Sequence, residues 1–277
     1  MKLNKEIISS RSNPLVKWAS SLSDKKGREA AKSFIAEGKK LSYEALSASL
    51  PVSHIFLSED KAELYISELK NTFDKDEYKD TELVVLSAAA FDKISTEKSP
   101  QGIISVIKYL DFFQELDIIY KEEFFPKDEE KLIMLSSVRD PGNLGSVIRS
   151  AVAFGAERII VSSDTAEVYN PKTVRSAMGS LFRVKISPVS DMSEFVKVLR
   201  KRDRRVYAAE LSEKAVSLTD LKLRPTDVFI IGNEGHGIDK EISSVADGSV
   251  YIPICTKTES LNAAVAAGIF IWEQSKL

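Results

Sequence analysis

The chain has 277 residues, 43% hydrophobic and 29% charged, with a formal net charge of −2, which suits a folded chain of one or two domains and argues against a general polyelectrolyte binder. A single cysteine, Cys255, excludes an internal disulfide framework, and two histidines, His54 and His236, leave no basis for a zinc cluster, so metal catalysis is not expected. No apolar run approaches the roughly 20 residues that span a bilayer, and the first residues lead into no signal-peptide stretch, so a cytoplasmic location without membrane contact is expected.

In chain order, residues 13–22 (NPLVKWASSL) and 39–48 (KKLSYEALSA) have helical spacing. They alternate with strand-like FIAEG (34–38), HIFLS (54–58), LVVLS (83–87) and GIISVI (102–107), the pattern of a small α/β domain over residues 1–110. The charged stretch 71–81 (NTFDKDEYKDT) reads as a surface loop. Residues 111–130, acidic and proline-containing, read as a linker. From 131 to 277, the apolar strands LIMLSSV, RIIVSS, RVYAAEL, VFIIG and VYIPI are separated by segments of helical period, which predicts an α/β domain whose mostly parallel sheet is covered by helices on both faces. Two basic clusters stand out: Lys25, Lys26 and Arg28 with Lys32, Lys39 and Lys40, and Arg200, Lys201, Arg202, Arg204 and Arg205. Each reads either as a local RNA patch or as a solvated helix end, where cations meet the negative pole of the helix.

Three motifs carry the chemistry. Residues 139–150 (RDPGNLGSVIRS) follow the strand LIMLSSV and open a helix, so their loop faces the carboxyl edge of the sheet, where open α/β sheets bind ligands. Asn143 and Arg149 project polar groups there, unless Asn143 or Ser146 merely caps the helix and Arg149 pairs with a surface acid. Residues 230–238 (IIGNEGHGI) end a buried strand in Gly232 and continue through Glu234, with Gly235 and Gly237 allowing close backbone approach to a ligand. Their Gly-x-x-Gly-x-Gly spacing is not a dinucleotide fingerprint, and His236 reads either as a base or as an exposed loop histidine. The third motif runs from VYIPI through CTKTE into the small-residue helix beginning at Ser260, Leu261 and Asn262, with Ser260 a reasonable N-cap and Glu259 suited to the positive helix end.

These segments, in this order, resemble the SpoU (TrmH-like) branch of the SPOUT RNA methyltransferases: an Asn-and-Arg loop, a Gly-x-Glu loop and an Ile-Pro…Ser-Leu-Asn segment. Residues 169–172 (YNPK) and 174–180 (VRSAMGS) also resemble the family, and its ribosomal-RNA members more than its transfer-RNA members. The resemblance spans 132–273. Ahead of it, SRSNP (10–14), FIAEG and PQG (100–102) look like the RNA-substrate-binding domain often fused to this catalytic domain.

The resemblance implies transfer of a methyl group from S-adenosyl-L-methionine to a ribose 2′-hydroxyl in ribosomal RNA. A transfer-RNA substrate, or a non-catalytic RNA-binding or ribosome-assembly role, are the alternatives within the family. It further implies a deep trefoil knot and a homodimer formed through the C-terminal domain. The donor would be gripped by backbone groups around Gly232, Ile252 and Leu261, with Ile231, Asn233, Gly237, Ile254 and Ser260 beside them. Many members carry glycine where this chain has Thr256. Arg149 would stabilise the developing alkoxide, since a guanidinium is a strong donor and a poor base. Asn143 and Glu234 would orient the site, and Ser260 and Asn262 would fix the third loop. Candidate RNA contacts are Arg11, Asn13, Lys25, Lys26, Arg28 and Lys39 in the front domain and Arg139 in the first motif. A nucleotide-binding enzyme of the doubly wound class is disfavoured, because neither phosphate fingerprint is present.

Overall fold

The computed structural model describes residues 1–4, 6–73, 76–110, 116–255 and 260–277. In chain order its elements are β1 (Lys2–Leu3), α1 (Pro14–Ser21), α2 (Lys25–Ala31), β2 (Ser33–Glu37), α3 (Lys39–Ser47), β3 (Val52–Ser58), α4 (Ala62–Phe73), β4 (Glu82–Leu86), α5 (Ala88–Ile94) and β5 (Ile103–Lys108). They continue with β6 (Leu132–Leu135), α6 (Pro141–Ala153), β7 (Arg158–Ser162), α7 (Pro171–Ala177), β8 (Lys185–Val189) and α8 (Met192–Lys201). The last are β9 (Val206–Ala209), β10 (Val216–Ser217), β11 (Val228–Ile231), α9 (Lys240–Val245), β12 (Gly248–Tyr251) and α10 (Ala263–Ser275).

Two compact units result. The first comprises Met1–Leu110 together with Val168–Phe182, and the second comprises Asp111–Glu167 and Arg183–Leu277. In the first, a five-stranded sheet runs in the order β1-β4-β3-β5-β2, parallel from β1 to β3 and antiparallel across β5. Val16, Phe56, Val84, Phe91 and Ile104 fill its core.

Residues 168–182, expected within the C-terminal domain, instead belong to this first unit. The reason is aromatic packing: Tyr169 stacks on Phe34 at 4.5 Å and on Tyr109 at 4.2 Å, its hydroxyl accepts from Leu110 N at 2.8 Å, and Arg175 pairs with Glu97 at 2.6 Å. Of the expected loop at 71–81, residues 74–75 lie outside the described residues and part of the remainder is helical. Helix α4 reaches Phe73 and a short helical turn spans Asp76–Tyr78, because the Phe73 and Tyr78 rings are buried and the Tyr78 hydroxyl donates to Leu46 O at 2.6 Å.

The second unit carries a seven-stranded sheet, parallel throughout, in the order β10-β12-β9-β11-β6-β7-β8. Its central strands β6 and β11 are unbroken apolar runs buried along their length, as strands covered on both faces must be. Strand β12 lies between β10 and β9, and α10 packs on α6 and β11. Buried Arg158 donates to Glu130 at 2.8 Å and to Ser187 Oγ at 3.0 Å. Burial pushes the Glu130 carboxyl up, but the hydrogen bonds and charge of Arg158 outweigh it and hold the group below the usual carboxylate range. Among the described residues no helix is long and apolar enough to cross a membrane. Part of the expected linker, residues 111–115, lies outside the described residues, as do Thr256 and Glu259.

Candidate active site

The site forms at the carboxyl edge of the second unit's sheet, where the three motifs meet. In the first, Asp140 is the N-cap of α6, accepting from Asn143 N at 2.9 Å, and Pro141 occupies the first turn. Ser146 Oγ donates back to Gly142 O at 2.9 Å. Neither Asn143 nor Ser146 is therefore the cap, and the Asn143 side chain is left to act elsewhere. The preceding loop is tied down by Asp164, which accepts from Ser137 Oγ at 2.7 Å, Arg139 at 2.9 Å and Ser162 Oγ at 2.7 Å. Desolvation raises the Asp164 pKa, but these donors together pull it down to about 2.

The second motif is closed by Asn233. Its backbone exchanges two hydrogen bonds of 3.0 Å with Gly237, its Oδ1 accepts from Gly235 N at 2.9 Å and His236 N at 3.2 Å, and its Nδ2 donates to Ser137 O at 2.8 Å. Gly237 adopts φ +69°, and a Cβ on Gly232 would stand 2.5 Å from the Gly237 carbonyl. Glycine is thus required at both positions by backbone conformation or close approach. In the third motif Asn262, not Ser260, caps α10, its Oδ1 accepting from Ala264 N at 3.0 Å and Val265 N at 3.3 Å.

One side chain joins all three. Because Asn262 Oδ1 is committed to the helix cap, its Nδ2 must be the donor to Asn143, and it meets Asn143 Oδ1 at 3.0 Å. Asn143 Nδ2 is then free to donate, and it does so to Glu234 Oε1. The polarity of the chain Asn262→Asn143→Glu234 is fixed from one end by the helix cap and from the other by a carboxylate that only accepts.

Beside this relay lies a cavity of 670 Å³. Ile231, Gly232, Asn233, Gly237, Ile252, Ile254, Ser260 and Leu261, the expected cofactor residues, all line it, as does Glu234. Glu210 and Phe270 line it as well. Neither was singled out by sequence, although a charged residue at the carboxyl end of a parallel strand (RVYAAEL) is the signal that would have found Glu210. A second groove of 510 Å³ runs between α6 and α10, lined by Asn143, Ser146 and Ser150 on one helix and Val265, Gly268 and Trp272 on the other.

Arg149 is exposed on α6, lines neither space, and has no side-chain hydrogen bond or ion pair among the described residues. His236 is exposed and outside the cavity wall.

The basic residues divide sharply. Arg28 is buried and donates to Leu22 O at 2.8 Å and Ser23 O at 2.7 Å, so it is a structural residue and not an RNA contact. Asn13 caps α1, Lys39 pairs with Glu68 at 2.8 Å, Lys25 lies 3.7 Å from Glu29, and Arg139 is held by Asp164. Arg11 and Lys26 are exposed, with no acidic partner among the described residues. In the second cluster, Arg200 pairs with Asp247, Arg202 with Glu122 and Arg205 with Asp227, while buried Arg204 donates to the carbonyls of Lys127, Asp128 and Glu130. Four of the five thus tie elements together, and exposed Lys201 has no acidic partner among the described residues.

Residues 130–272 match the model of the SpoU rRNA Methylase family, and residues 13–105 match that of the MRM3-like substrate binding domain. The chain is 29% identical over 265 residues to a 23S rRNA (guanosine(2553)-2′-O)-methyltransferase, RlmP, of Bacillus subtilis, covering 96% of this chain and 97% of that one. It is 27% identical to a 23S rRNA (uridine(2479)-2′-O)-methyltransferase of Streptomyces viridochromogenes, over 96% of this chain and 90% of that one. An AdoMet-bound rRNA methyltransferase from Sinorhizobium meliloti superposes with a TM-score of 0.80 at 27% identity, covering 98% of this chain and 97% of that one. With the family model spanning more than half of its length and all three motifs assembled at one sheet edge, the chain belongs to the SpoU rRNA methylase family.

Proposed function

We propose that this chain transfers a methyl group from S-adenosylmethionine to a ribose 2′-hydroxyl of ribosomal RNA. The observation that carries this reading is the Asn262→Asn143→Glu234 relay at the edge of a cavity built from the second and third motifs. The cavity fits the donor: 670 Å³ lies within the ordinary range for small-molecule sites, and its wall is mainly apolar with a few polar groups. Backbone groups of Gly232, Ile252 and Leu261 would hold the adenosine, and Ile231, Ile254 and Phe270 would cover it. Bound there, the donor supplies a methyl group activated by an adjacent sulfonium.

The protein's part is to orient and to stabilise charge. Asn143 and Asn262 fix the loops on either side of the cavity, and Asn233 and Gly237 shape the loop between them. Arg149, a permanent cation with no partner among the described residues, donates to the developing alkoxide and a neighbouring phosphate. It stands outside the cavity wall, and the homodimer we propose uses the adjacent face of α6 and α10, where Trp272 and Val265 are exposed and Gly268 allows close approach. We also infer a knotted C-terminal segment. With strand order β10-β12-β9-β11, the connection from β9 to β10 must cross β12, and the return to β11 must cross it again.

The test is calorimetric titration with S-adenosylmethionine and S-adenosylhomocysteine, with NAD and ATP as controls. Binding of the adenosyl ligands alone supports the assignment, which loss of 2′-O-methylation at a ribosomal-RNA site in cells lacking the gene would complete. A folded protein that binds neither, with or without RNA, refutes it.

A further inference from the structure

Glu210 stands just beyond the end of β9, on the wall of the same cavity. Its backbone N–H donates to Val250 O at 3.1 Å, which fixes it against β12. Its carboxylate is held at both oxygens by neutral donors: Ser249 Oγ at 2.8 Å on Oε1 and Ser243 Oγ, from α9, at 3.0 Å on Oε2. Among the described residues no lysine, arginine or histidine reaches it. The half-buried carboxylate stands in a wall that also carries the apolar side chains of Val250, Ile252, Leu261 and Phe270.

Glu234 is the other charged side chain on that wall among the described residues, and it already accepts from Asn143. Two serine hydroxyls could equally be bridged by a neutral glutamine. A half-desolvated carboxylate with no cation beside it is unfavourable in the empty site and gains most from a positively charged ligand. The donor of the proposed reaction and its product share the adenosine and the amino-acid zwitterion, and differ by one methyl group and one positive charge.

We propose that Glu210 is a specificity residue for the cofactor, whose charge makes the cavity favour the sulfonium donor over its neutral thioether product. This rests on the methyltransferase reading above. It gives the site a means of exchange: transfer of the methyl group removes the ligand's extra charge, so the attraction ends when the reaction does.

The test is calorimetry of the full chain and its Glu210→Gln variant with S-adenosylmethionine, S-adenosylhomocysteine and an unreactive analogue carrying an ammonium at the sulfonium position. Glutamine keeps the size and can still bridge both serines, one hydroxyl turning to accept from the amide, while the charge is removed. Donor and ammonium analogue should each bind about tenfold more weakly, the scale of one charge pair a few ångströms apart in a partly screened site, while the product changes less than about twofold. Glu210→Asp, which retains the charge, should keep the donor-over-product ratio even where both affinities fall. Equal weakening of all three ligands by Glu210→Gln, no change at all, or loss of the ratio in Glu210→Asp overturns the proposal and leaves the methyltransferase reading intact. A wild-type protein that binds neither adenosyl ligand overturns both.

Discussion

Replacing Asn143 by aspartate tests whether the relay has the polarity described above. The wild-type side chain donates to Glu234 and accepts from Asn262. Asn143→Ala removes both bonds, one to a charged group (about 1.5–3 kcal/mol) and one between neutral amides (about 0.5–1.5 kcal/mol). At this exposed rim the low ends apply, for a loss of about 2 kcal/mol. Asn143→Asp keeps the acceptor for Asn262 but turns the donor into a second carboxylate facing Glu234. Two like charges about 4 Å apart repel by about 1 kcal/mol in water and about 4 kcal/mol at a typical protein surface, so this variant should be less stable at pH 8 than the alanine variant.

The pH dependence has a definite sign. Crowding two carboxylates raises the pKa of the pair above its unfolded value near 4. The variant is therefore relieved below about pH 4, where one shared proton restores a donor, and the penalty grows as pH rises through the raised value. Urea denaturation of wild type and both variants between pH 4 and pH 8 measures this. Identical stabilities for Asn143→Asp and Asn143→Ala at every pH would mean that Asn143 does not donate to Glu234, and the relay would have to be abandoned.

Gly232→Ala should weaken S-adenosylmethionine binding more than about tenfold with the fold retained, because the added methyl meets the Gly237 carbonyl at 2.5 Å and displaces the loop; wild-type affinity in calorimetry would contradict this. Arg149→Ala should abolish turnover while leaving donor affinity within about threefold, since Arg149 does not line the cavity; a purified variant that keeps most of its methyltransferase activity would remove Arg149 from the mechanism. Glu130→Gln should cost about 3–5 kcal/mol in urea denaturation by leaving the Arg158 cation buried without its partner. Since the native Glu130 pKa is lowered, the pair's contribution is present above about pH 4 and lost as pH falls through the depressed value, and the variant should lack that acid-dependent step. In the first unit, Arg28→Ala should lower stability, whereas Arg11→Ala and Lys26→Ala should leave stability unchanged and flatten the salt dependence of RNA binding; the opposite assignment in filter binding and denaturation would refute the division of basic residues drawn above.

How much of this was legible in the sequence follows from where each residue finds its partner. The parallel sheet was readable because burial on both faces leaves unbroken apolar runs, and the three loops were readable because glycine and asparagine cluster where such strands end. The short β8 escaped notice, its sequence KISPV interrupted by serine and proline at the edge of the sheet. Roles were harder than places. Ser260 and Asn143 each looked like a cap, and the caps proved to be Asn262 and Asp140, a displacement of two or three residues that decides which side chains serve the helix ends. Nothing local could reveal that Asn143 meets partners 91 and 119 residues away.

The basic clusters show the same limit from the other side. A run of arginines announces its charge in the sequence, but its availability depends on acids and carbonyls brought in by the fold. Arg202 finds Glu122, 80 residues back, and Arg204 finds the carbonyl of Glu130, 74 residues back, while Arg28 turns onto carbonyls only five and six residues behind it. Among the described residues Arg11, Lys26 and Arg149 are left without such partners while four of the five basic residues between 200 and 205 are engaged, which is why single residues in an unremarkable charge pattern carry more of the proposed RNA reading than that cluster does.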